Sequence, residues 1–289
     1  MMEKTIRITS EGTLWTLPWD VGITKGFFRD EGIQIEVIKP DSELKPAPVF
    51  ERPIARDYEA GDLEAFNKCE WGVIKRAADG QRDGWILGKR ESVATMAILV
   101  RGDSSYHRLD DLSGVSISVQ DQTGSHYMTF KMLEGHLPAD RIVIRNEGGP
   151  AIRTRSLLRG QDPAVTLMEP FISLAESRGC RVLGESKYWG LLYVDKADSD
   201  ASTDGIFRAL RRAVDEINRD LKKHAALLLR DIPEDLIEDF EIQDLNLKRL
   251  DYVYPEPYTE EEFNRAAAWM TKYGLKPERA PVYSDLVKV

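Results

Sequence analysis

The stretch "PWDVGITKGFFRDEGIQIEVI", residues 18–38, contains the change of pattern that decides the fold. Its first two thirds predict a helix with Val21, Phe27 and Phe28 available for a buried face. Gly32 follows, and glycine is common directly after the last turn of a helix. "IQIEVI" then alternates apolar and polar residues, as a half-buried strand does. With the alternating "KTIRITS" before it, the stretch predicts an opening strand–helix–strand unit.

The alternation of strands and helices continues to about residue 194. We predict strands at "WILGKR", "MAILVRG", "VSISV", "RIVIR", "AVTLM" and "GLLYV", with helices between most of them. From about residue 203 the pattern is mostly helical, and residues 206–230 form the longest amphipathic run. Residues 39–56 hold four prolines and no period, so they predict a long loop or extended arm of the kind that is often functional.

Composition narrows the class of protein. The 289 residues, with 42% hydrophobic and 31% charged side chains, are ordinary for a globular protein of one or two domains. A net charge of −9 argues against nucleic acid as a partner. No apolar run approaches the roughly 20 residues that span a bilayer, so no membrane insertion is expected. "MMEKTIRITS" lacks the features of a secretory signal, which predicts a cytoplasmic protein as written, or a periplasmic one whose leader has been removed.

Metal and cofactor motifs do not occur in the sequence. Cys69 and Cys180 lie far apart without a CxxC spacing or a nearby histidine, and a structural zinc site needs about four ligands. Two buried thiols are therefore favoured over a metal site, and a disulfide stays open. There is no GxxxxGK[ST] motif, and "EGG" is too short for a dinucleotide loop, so no cofactor is expected.

A pause in the pattern predicts the domain organisation. The strand–helix series stops at "VRGDSSYHRLDDLSG", residues 100–114, and then resumes with its own strands. We therefore predict a discontinuous first lobe, residues 1–100 plus 195–289, and an inserted second lobe, residues 101–194. Two α/β lobes joined in this way form a cleft at the carboxyl ends of strands, where ligands of open α/β sheets bind.

A set of ordered motifs resembles a known family. "TKGFFRDEGIQIEVI", "LDDLSGVSISV" followed by "TGSHYMTFKMLEG", "LLRGQDPAVTLMEPF" and "SDLVKV" are similar to the NMT1/THI5-like and SsuA/TauA-like branch of the type II periplasmic binding proteins. The order and spacing match from about residue 5 to 195. The resemblance implies the two-lobed type II fold, a small-molecule ligand in the cleft between the lobes, and an ABC permease as partner.

The resemblance leaves two functions open. Its best-known members are receptors for importers of sulfonates, nitrate, taurine or pyrimidine vitamin precursors, which implies binding of a small organic anion or heterocycle. The same fold also includes cytosolic enzymes, among them an aryl-sulfinate desulfinase. The alternative is thus a lyase, decarboxylase or hydrolase of a small aromatic or heterocyclic acid that uses Cys69, Glu70 or His126. Lys68 stands where the desulfinase-like enzymes carry an arginine, which argues against desulfinase activity itself.

Five candidate residues begin one predicted helix. Thr123, Gly124 and Ser125 offer backbone N–H groups and hydroxyls that suit a carboxylate, sulfonate or phosphate. An ordinary N-cap is the alternative. His126 and Tyr127 follow on the first turn, where the helix dipole keeps a histidine neutral. His126 is a candidate hydrogen-bond partner or general base, with a packing histidine as the alternative.

Two further candidates lie in the predicted second lobe. Arg153, with Arg155, follows "NEGG" and could pair bidentately with an anion; the alternative is a solvated helix face shared with Arg159. Glu169 comes directly after a strand, where it could accept from a ligand N–H or lie at a helix N-terminus.

Aromatic and acidic residues complete the predicted site. We expect Trp19 and Trp71 in loops or strand ends that face the cleft, together with Trp15. With Asp20 and Glu70 they would suit a flat or cationic ligand, and a place in the core is the alternative.

Overall fold

A computed structural model describes residues 5–39, 41–198 and 203–288 of the chain. In these segments the strands form two sheets. The first sheet has the order β2-β1-β3-β10-β4, in which β1 pairs in parallel with β2 and β3, and β10 is antiparallel to β3 and β4. Its strands are β1 (Thr5–Thr9), β2 (Gln34–Val37), β3 (Ala65–Cys69), β4 (Gly84–Lys89) and β10 (Gly190–Asp195).

The second sheet has the order β11-β5-β8-β6-β7, and β9 also pairs with β5. The pairs of β6 with β7 and β8 are parallel, whereas β5 is antiparallel to each of its partners. Its strands are β5 (Ser92–Val100), β6 (Ser116–Val119), β7 (Val143–Asn146), β8 (Ala164–Met168), β9 (Arg181–Tyr188) and β11 (Leu250–Tyr252).

Helices connect and cover the strands. The α-helices are α1 (Thr13–Thr24), α2 (Phe27–Asp30), α3 (Pro53–Ala60), α4 (Glu70–Asp79), α5 (Gly124–Leu133), α6 (Pro150–Leu158), α7 (Phe171–Ser177), α8 (Thr203–Arg219), α9 (Leu221–Ala225), α10 (Glu234–Ile237), α11 (Glu260–Lys272) and α12 (Tyr283–Leu286). Short 3₁₀ segments are Val49–Glu51, Leu109–Leu112, Ala139–Arg141, Lys196–Asp198, Ala226–Asp231, Ile242–Asp244 and Leu247–Arg249. Within the described segments, no helix combines the length and the apolar character that crossing a membrane requires.

Burial explains why these segments adopt these elements. Every residue of β3, β5, β8 and β10 is buried, and strands covered on both faces carry near-continuous apolar sequence such as "AVTLM". Helix α8 instead buries one stripe, with Ile206, Leu210, Val214 and Ile217 spaced by three or four residues. The two periodicities visible in the sequence are therefore those of two sheets packed against amphipathic helices.

The opening helix differs from its prediction in position. It begins at Thr13 rather than at Pro18, and it ends at Thr24, before a left-handed Gly26 with φ of 75° separates it from α2. Pro18 therefore lies inside α1, where proline usually disfavours a helix. Trp15, Pro18 and Trp19 are all buried, and this tertiary packing offsets the cost. Strands β3 and β9 were missed, because "AFNKC" continues an apparent helix and "RVLGESKY" is only partly apolar.

The crossings between the sheets lie close together. The chain leaves the first sheet after β4 and enters the second at β5, so residues 90–91 make the first crossing. It returns between β9 and β10 at Trp189. The lobe boundaries at residues 100 and 195 stay a prediction.

Residues 41–52, which we call the arm, follow the first βαβ unit and contact the second sheet's helices. Leu44 O accepts from Gly149 N at 2.7 Å, and Ser42 O accepts from Ala151 N at 3.1 Å. The arm therefore satisfies N–H groups at the beginning of α6, which have no partner inside their own helix.

Candidate functional site

Four buried aromatic rings meet where elements from both sheets begin or end. The ring centroid of Trp71 on α4 lies 5.5 Å from that of Tyr127 on α5 and 6.1 Å from that of Tyr188 on β9. Tyr188 in turn lies 6.5 Å from Trp15 on α1, edge to face. We call Trp15, Trp71, Tyr127 and Tyr188 the aromatic cluster. The structure thus brings the predicted site residues Trp71 and Tyr127 together with Trp15, which was also expected at the cleft, and with Tyr188, which was not predicted.

Arg90 contributes a positive charge to the aromatic cluster. Its guanidinium carbon lies 4.7 Å from the ring centroid of Trp15 and 5.3 Å from that of Tyr188, within the range of cation–π attraction. The residue is 1% exposed, and its Nε donates to Ser92 O at 3.2 Å. In the described part of the chain, no carboxylate lies within 4 Å of this guanidinium. Arg90 is therefore a buried cation without an anionic partner.

Buried polar atoms of the cluster also lack hydrogen-bond partners. Trp15 Nε1, Arg90 Nη2, Tyr127 Oη and Tyr188 Oη have none among the described residues. Most buried polar groups in proteins are hydrogen-bonded, because leaving one unpaired costs free energy. Three of these atoms belong to Trp15, Arg90 and Tyr188, whose side chains contact one another, and they suit a ligand that presents hydrogen-bonding atoms to them.

Side chains at the beginning of α5 form hydrogen bonds with the backbone of the preceding turn. Thr123 Oγ1 donates to Gln120 O at 2.8 Å, and Ser125 Oγ accepts from Gln120 N at 3.0 Å. These hydroxyls stabilise the turn that leads into the helix. A Cβ atom at Gly124 would lie 2.5 Å from Tyr188 Oη, so glycine allows Tyr188 to approach the helix. Gly124 thus lies against the aromatic cluster, while the hydroxyls of Thr123 and Ser125 point into local bonds.

His126 is held by a carboxylate on the preceding turn. Its Nδ1 lies 2.7 Å from Asp121 Oδ1 and 3.0 Å from Gln122 N. This contact holds the pKa of Asp121 below its usual value. The imidazole also stacks on Tyr127 with a centroid distance of 5.6 Å. His126 therefore lies behind the aromatic cluster, where it positions Tyr127.

Two more buried arginines, Arg52 and Arg153, lie within electrostatic range of Glu11. Lys68 Nζ lies 3.0 Å from Glu11 Oε1, and both side chains are almost completely buried. Burial lowers the pKa of Arg52 and Arg153, and the charge of Glu11 partly opposes this shift for both. Among the described residues, neither arginine has a carboxylate within 4 Å. Lys68 is therefore the cation that pairs with Glu11, while Asp121 and Asp162 add further negative charge near Arg52 and Arg153 respectively.

Arg153 does not lie on a solvated face, which was the alternative for it. The residue is 2% exposed, and its guanidinium donates to Gly148 O and, at 3.0 Å, to Thr166 O. Burial lowers its pKa to about 9. Arg155 is the residue of this helix that makes ion pairs, at 2.7 Å with Glu43 of the arm. Arg153 thus braces the beginning of α6 through backbone carbonyls.

Trp19 and Asp20 are not brought to the aromatic cluster. Both lie on α1 and not in a loop or strand end, so their expected placement is wrong. Trp19 packs in the core with its ring 5.3 Å from that of Phe28, and its Nε1 donates to Glu91 Oε1 at 2.7 Å. Asp20 forms an ion pair with Arg230 at 2.6 Å on the other side of the helix.

Glu70 and Glu169 use their oxygens within the protein. Glu70 accepts from Tyr258 Oη at 3.1 Å, and burial raises its pKa to about 7. Glu169 accepts from Ser173 N at 3.2 Å and from Ser173 Oγ at 2.9 Å, on the first turn of α7, and burial raises its pKa to about 7 as well. Arg249 Nη1 also lies 3.3 Å from Glu169. The carboxylate of Glu169 therefore lies at a helix N-terminus, which was the alternative prediction for this residue.

Both cysteines are free thiols. Cys69 is completely buried, and burial raises its pKa to about 12. Cys180 is partly buried, and its pKa is raised to about 11 for the same reason. Across the three described ranges, no group of three or more histidine, cysteine, aspartate or glutamate residues is arranged to hold a metal ion.

Sequence reasoning missed Glu11, Arg90 and Tyr188. A signal for Arg90 exists, since "KRES" interrupts two apolar strands with adjacent charges at the first crossing between the sheets. Tyr188 precedes the second crossing, but β9 itself was not predicted. Glu11 lies two residues after the end of β1, where only its position near a strand end could have drawn attention.

Comparison with known proteins identifies the fold of the chain. No protein-family model matches the chain, and no curated protein matches it in sequence. Solved structures do match over nearly the whole length. The alkanesulfonate-binding protein SsuA from Xanthomonas axonopodis pv. citri, bound to MOPS, is 16% identical, with 100% of both chains covered and a TM-score of 0.71.

Two other solved structures agree with this match. The ligand-binding component of an ABC-type import system from Staphylococcus aureus, with zinc bound, is 12% identical, covers 99% of this chain and 97% of its own, and has a TM-score of 0.73. A Candida albicans gene product with the generic periplasmic binding protein fold is 12% identical, with 99% and 98% covered and a TM-score of 0.71. The predicted two-lobed, α/β periplasmic-binding-protein fold is confirmed. Identities this low do not assign the chain to a branch within it.

Proposed function

We propose that the protein is a solute-binding protein that binds a small organic anion at Arg90 and the aromatic cluster without transforming it. The observation that carries this proposal is the buried Arg90 guanidinium, which lies between two rings and has no carboxylate partner in the described chain. A buried charge without a partner is costly, and an anionic ligand would offset that cost.

The chemistry of the surroundings favours an organic anion. A planar guanidinium donates two parallel hydrogen bonds to a carboxylate or sulfonate, and Trp15 Nε1 and Tyr188 Oη supply further polar contacts. The rings add apolar walls for the carbon part of the ligand. A sulfonate or carboxylate on a small organic group is therefore the proposed ligand class.

The fold suggests the cellular setting. Related structures include the alkanesulfonate-binding SsuA and a component of an ABC-type import system. By analogy, we infer that an ABC permease is the partner and that the periplasm is the compartment where this protein works. The proposed cleft lies between a lobe of residues 1–100 plus 195–289 and a lobe of residues 101–194.

The enzymatic alternative finds little support in the surroundings of Cys69. A nucleophilic cysteine needs a lowered pKa, whereas burial raises that of Cys69 to about 12. His126 directs its Nδ1 at Asp121, so this nitrogen is not available to activate the thiol.

Mass spectrometry tests the proposal directly. The purified protein is incubated with a small-metabolite extract, separated from free compounds and denatured, and the released compounds are followed over time. We expect one organic anion, recovered intact at about one equivalent. Continued loss of a compound beyond one equivalent, with a new mass appearing, would show an enzyme instead.

A further inference from the structure

A cavity lies between the arm and α4, and Tyr127 of the aromatic cluster is among its lining residues. Its space not occupied by atoms is about 380 Å³, which includes the part that is open to solvent. One side is apolar, with Val49 and Phe50 from the arm, Ile54 and Ala55 from α3, and Phe66 from β3. We call it the arm pocket. Its mostly apolar wall fits a small ring better than an ion.

Two neutral side chains that line the arm pocket carry unpartnered polar atoms. Tyr127 is fully buried, and its Oη has no hydrogen-bond partner in the described chain; Gln122 Oε1 has none either. Gln122 Nε2 lies 3.4 Å from Asp121 Oδ2, which leaves the amide oxygen for another donor. Gln122 has a φ of 52°, a left-handed conformation that costs free energy for a residue other than glycine.

The cations that line the arm pocket each have an acidic partner, although the guanidinium nitrogens of Arg76 make no hydrogen bond among the described residues. Lys68 lies 3.0 Å from Glu11, Lys75 lies 2.9 Å from Asp79, and Arg76 lies 2.9 Å from Glu59. An occupant therefore needs no charge to balance them, in contrast to the site at Arg90.

We propose that the arm pocket binds an uncharged aromatic ring that carries one hydroxyl group. Such a hydroxyl donates to Gln122 Oε1 and accepts from Tyr127 O–H, so one group satisfies both buried atoms. The ring packs against Phe50 and Phe66, where aromatic contacts add to the apolar burial. This site goes beyond the proposed anion binding and does not depend on it.

Phenol, anisole and methanesulfonate separate the two sites. Phenol has the ring and the donor, anisole has the ring without the donor, and methanesulfonate has the anion without the ring. Their dissociation constants are measured by nuclear magnetic resonance titration. We expect phenol to bind the wild-type protein about tenfold more tightly than anisole does, which is the usual cost of one unmade buried hydrogen bond.

Substitutions in the pocket complete the test. Val49→Trp fills the pocket from the partly exposed arm, and Val282→Trp, at a valine that is 49% exposed elsewhere, is its matched control. We expect at least about tenfold weaker phenol binding in V49W and no change in V282W. Gln122→Met should weaken the binding of phenol but not that of anisole. If V49W fails to fold, this variant alone tests the proposal.

The outcomes for the two proposals differ. Phenol that does not bind, or that binds V49W and Q122M as tightly as the wild type, overturns the arm-pocket proposal. Failure of methanesulfonate and of every other organic anion to bind, while phenol still binds, overturns the proposed function and leaves the arm pocket standing.

Discussion

The guanidinium of Arg90 faces the indole ring of Trp15 at 4.7 Å, and it does so without a carboxylate within 4 Å in the described residues. Most arginines described for this chain have an acidic partner, including Arg249, which lies near three glutamates. Arg52 and Arg153 also lack a carboxylate at this distance, but each donates to two backbone carbonyls, whereas Arg90 donates to one. The proposed function assigns the remaining donors of Arg90 to an anionic ligand.

Replacing Arg90 should affect binding more than stability. In Arg90→Met we expect methanesulfonate affinity to fall at least about tenfold, because the charged hydrogen bonds are lost. The free energy of unfolding should change by no more than about 1 kcal/mol, since the lost cation–π contacts are offset by removal of a desolvated charge. Titration calorimetry and urea unfolding measure the two effects. Arg265→Met, at an arginine that is 69% exposed, is the control, and equal anion binding by R90M and R265M would contradict the prediction.

Stability should fall as pH rises, and Glu91 should cause part of the fall. Burial raises the pKa of Glu91 to about 7 from 4.5. Between these values the folded state holds the proton more tightly than the unfolded chain, so the free energy of unfolding decreases from pH 4.5 to 7 and then levels. Glu91→Gln cannot ionise and still accepts from Trp19. Its decline over this range should be smaller than that of the wild type by up to about 3 kcal/mol.

Urea unfolding at several pH values between 4.5 and 8 measures this difference. Glu261→Gln, whose side chain is 90% exposed, provides the control and should follow the wild-type curve. Parallel curves for the wild type and E91Q would show that Glu91 does not titrate differently on folding.

The carboxylate of Asp231 should stabilise the beginning of α1. It accepts from Thr13 N at 2.7 Å and from Thr13 Oγ1 at 2.5 Å, and all these atoms are buried. Asp231→Ala leaves both donors unpaired, so we expect destabilisation by about 2–4 kcal/mol in urea unfolding. Asp235→Ala removes an exposed ion pair with Arg155 and should cost less than about 1 kcal/mol. A similar cost for both variants would disagree with the role given to Asp231.

Cys69 should resist alkylation in the folded protein. With a pKa of about 12, roughly one thiol in ten thousand is ionised at pH 8, and the side chain is also shielded from solvent. Iodoacetamide should therefore label Cys180 first, and label Cys69 only in denaturant. Peptide mass spectrometry assigns the labelled residue. Rapid labelling of native Cys69 that ligand prevents would instead revive the enzymatic alternative.

Local patterns predicted the fold well, because most strands in this chain are short, apolar and separated by helices. "AVTLM" became β8 with the predicted bounds, and "GLLYV" became β10 with one further residue. Failures occurred where tertiary packing decides. Pro18 is tolerated inside α1 because its neighbours are buried, and β9 is a strand because β5 pairs with it.

The candidate site was harder to predict than the fold. Trp71 and Tyr127 lie near predicted helix beginnings, so their positions followed from the pattern. Arg90 is a candidate site residue only because it contacts Trp15 and Tyr188, which are 75 residues before it and 98 after it in the chain. No local sequence pattern encodes a contact at that separation.

The arm has a consequence for how quickly a bound ring can leave. Its carbonyls at Leu44 and Ser42 hold the amides of Gly149 and Ala151, while its Val49 forms part of the arm-pocket wall. For a bound ring to leave, the arm has to move away from α4, and this motion would also strain the hydrogen bonds of Leu44 and Ser42. Dissociation of the ring and breaking of these hydrogen bonds would then share one barrier. The amide hydrogens of Gly149 and Ala151 would then exchange with deuterium at the rate at which the ring dissociates. Hydrogen exchange at these two amides would therefore report the residence time of the ligand.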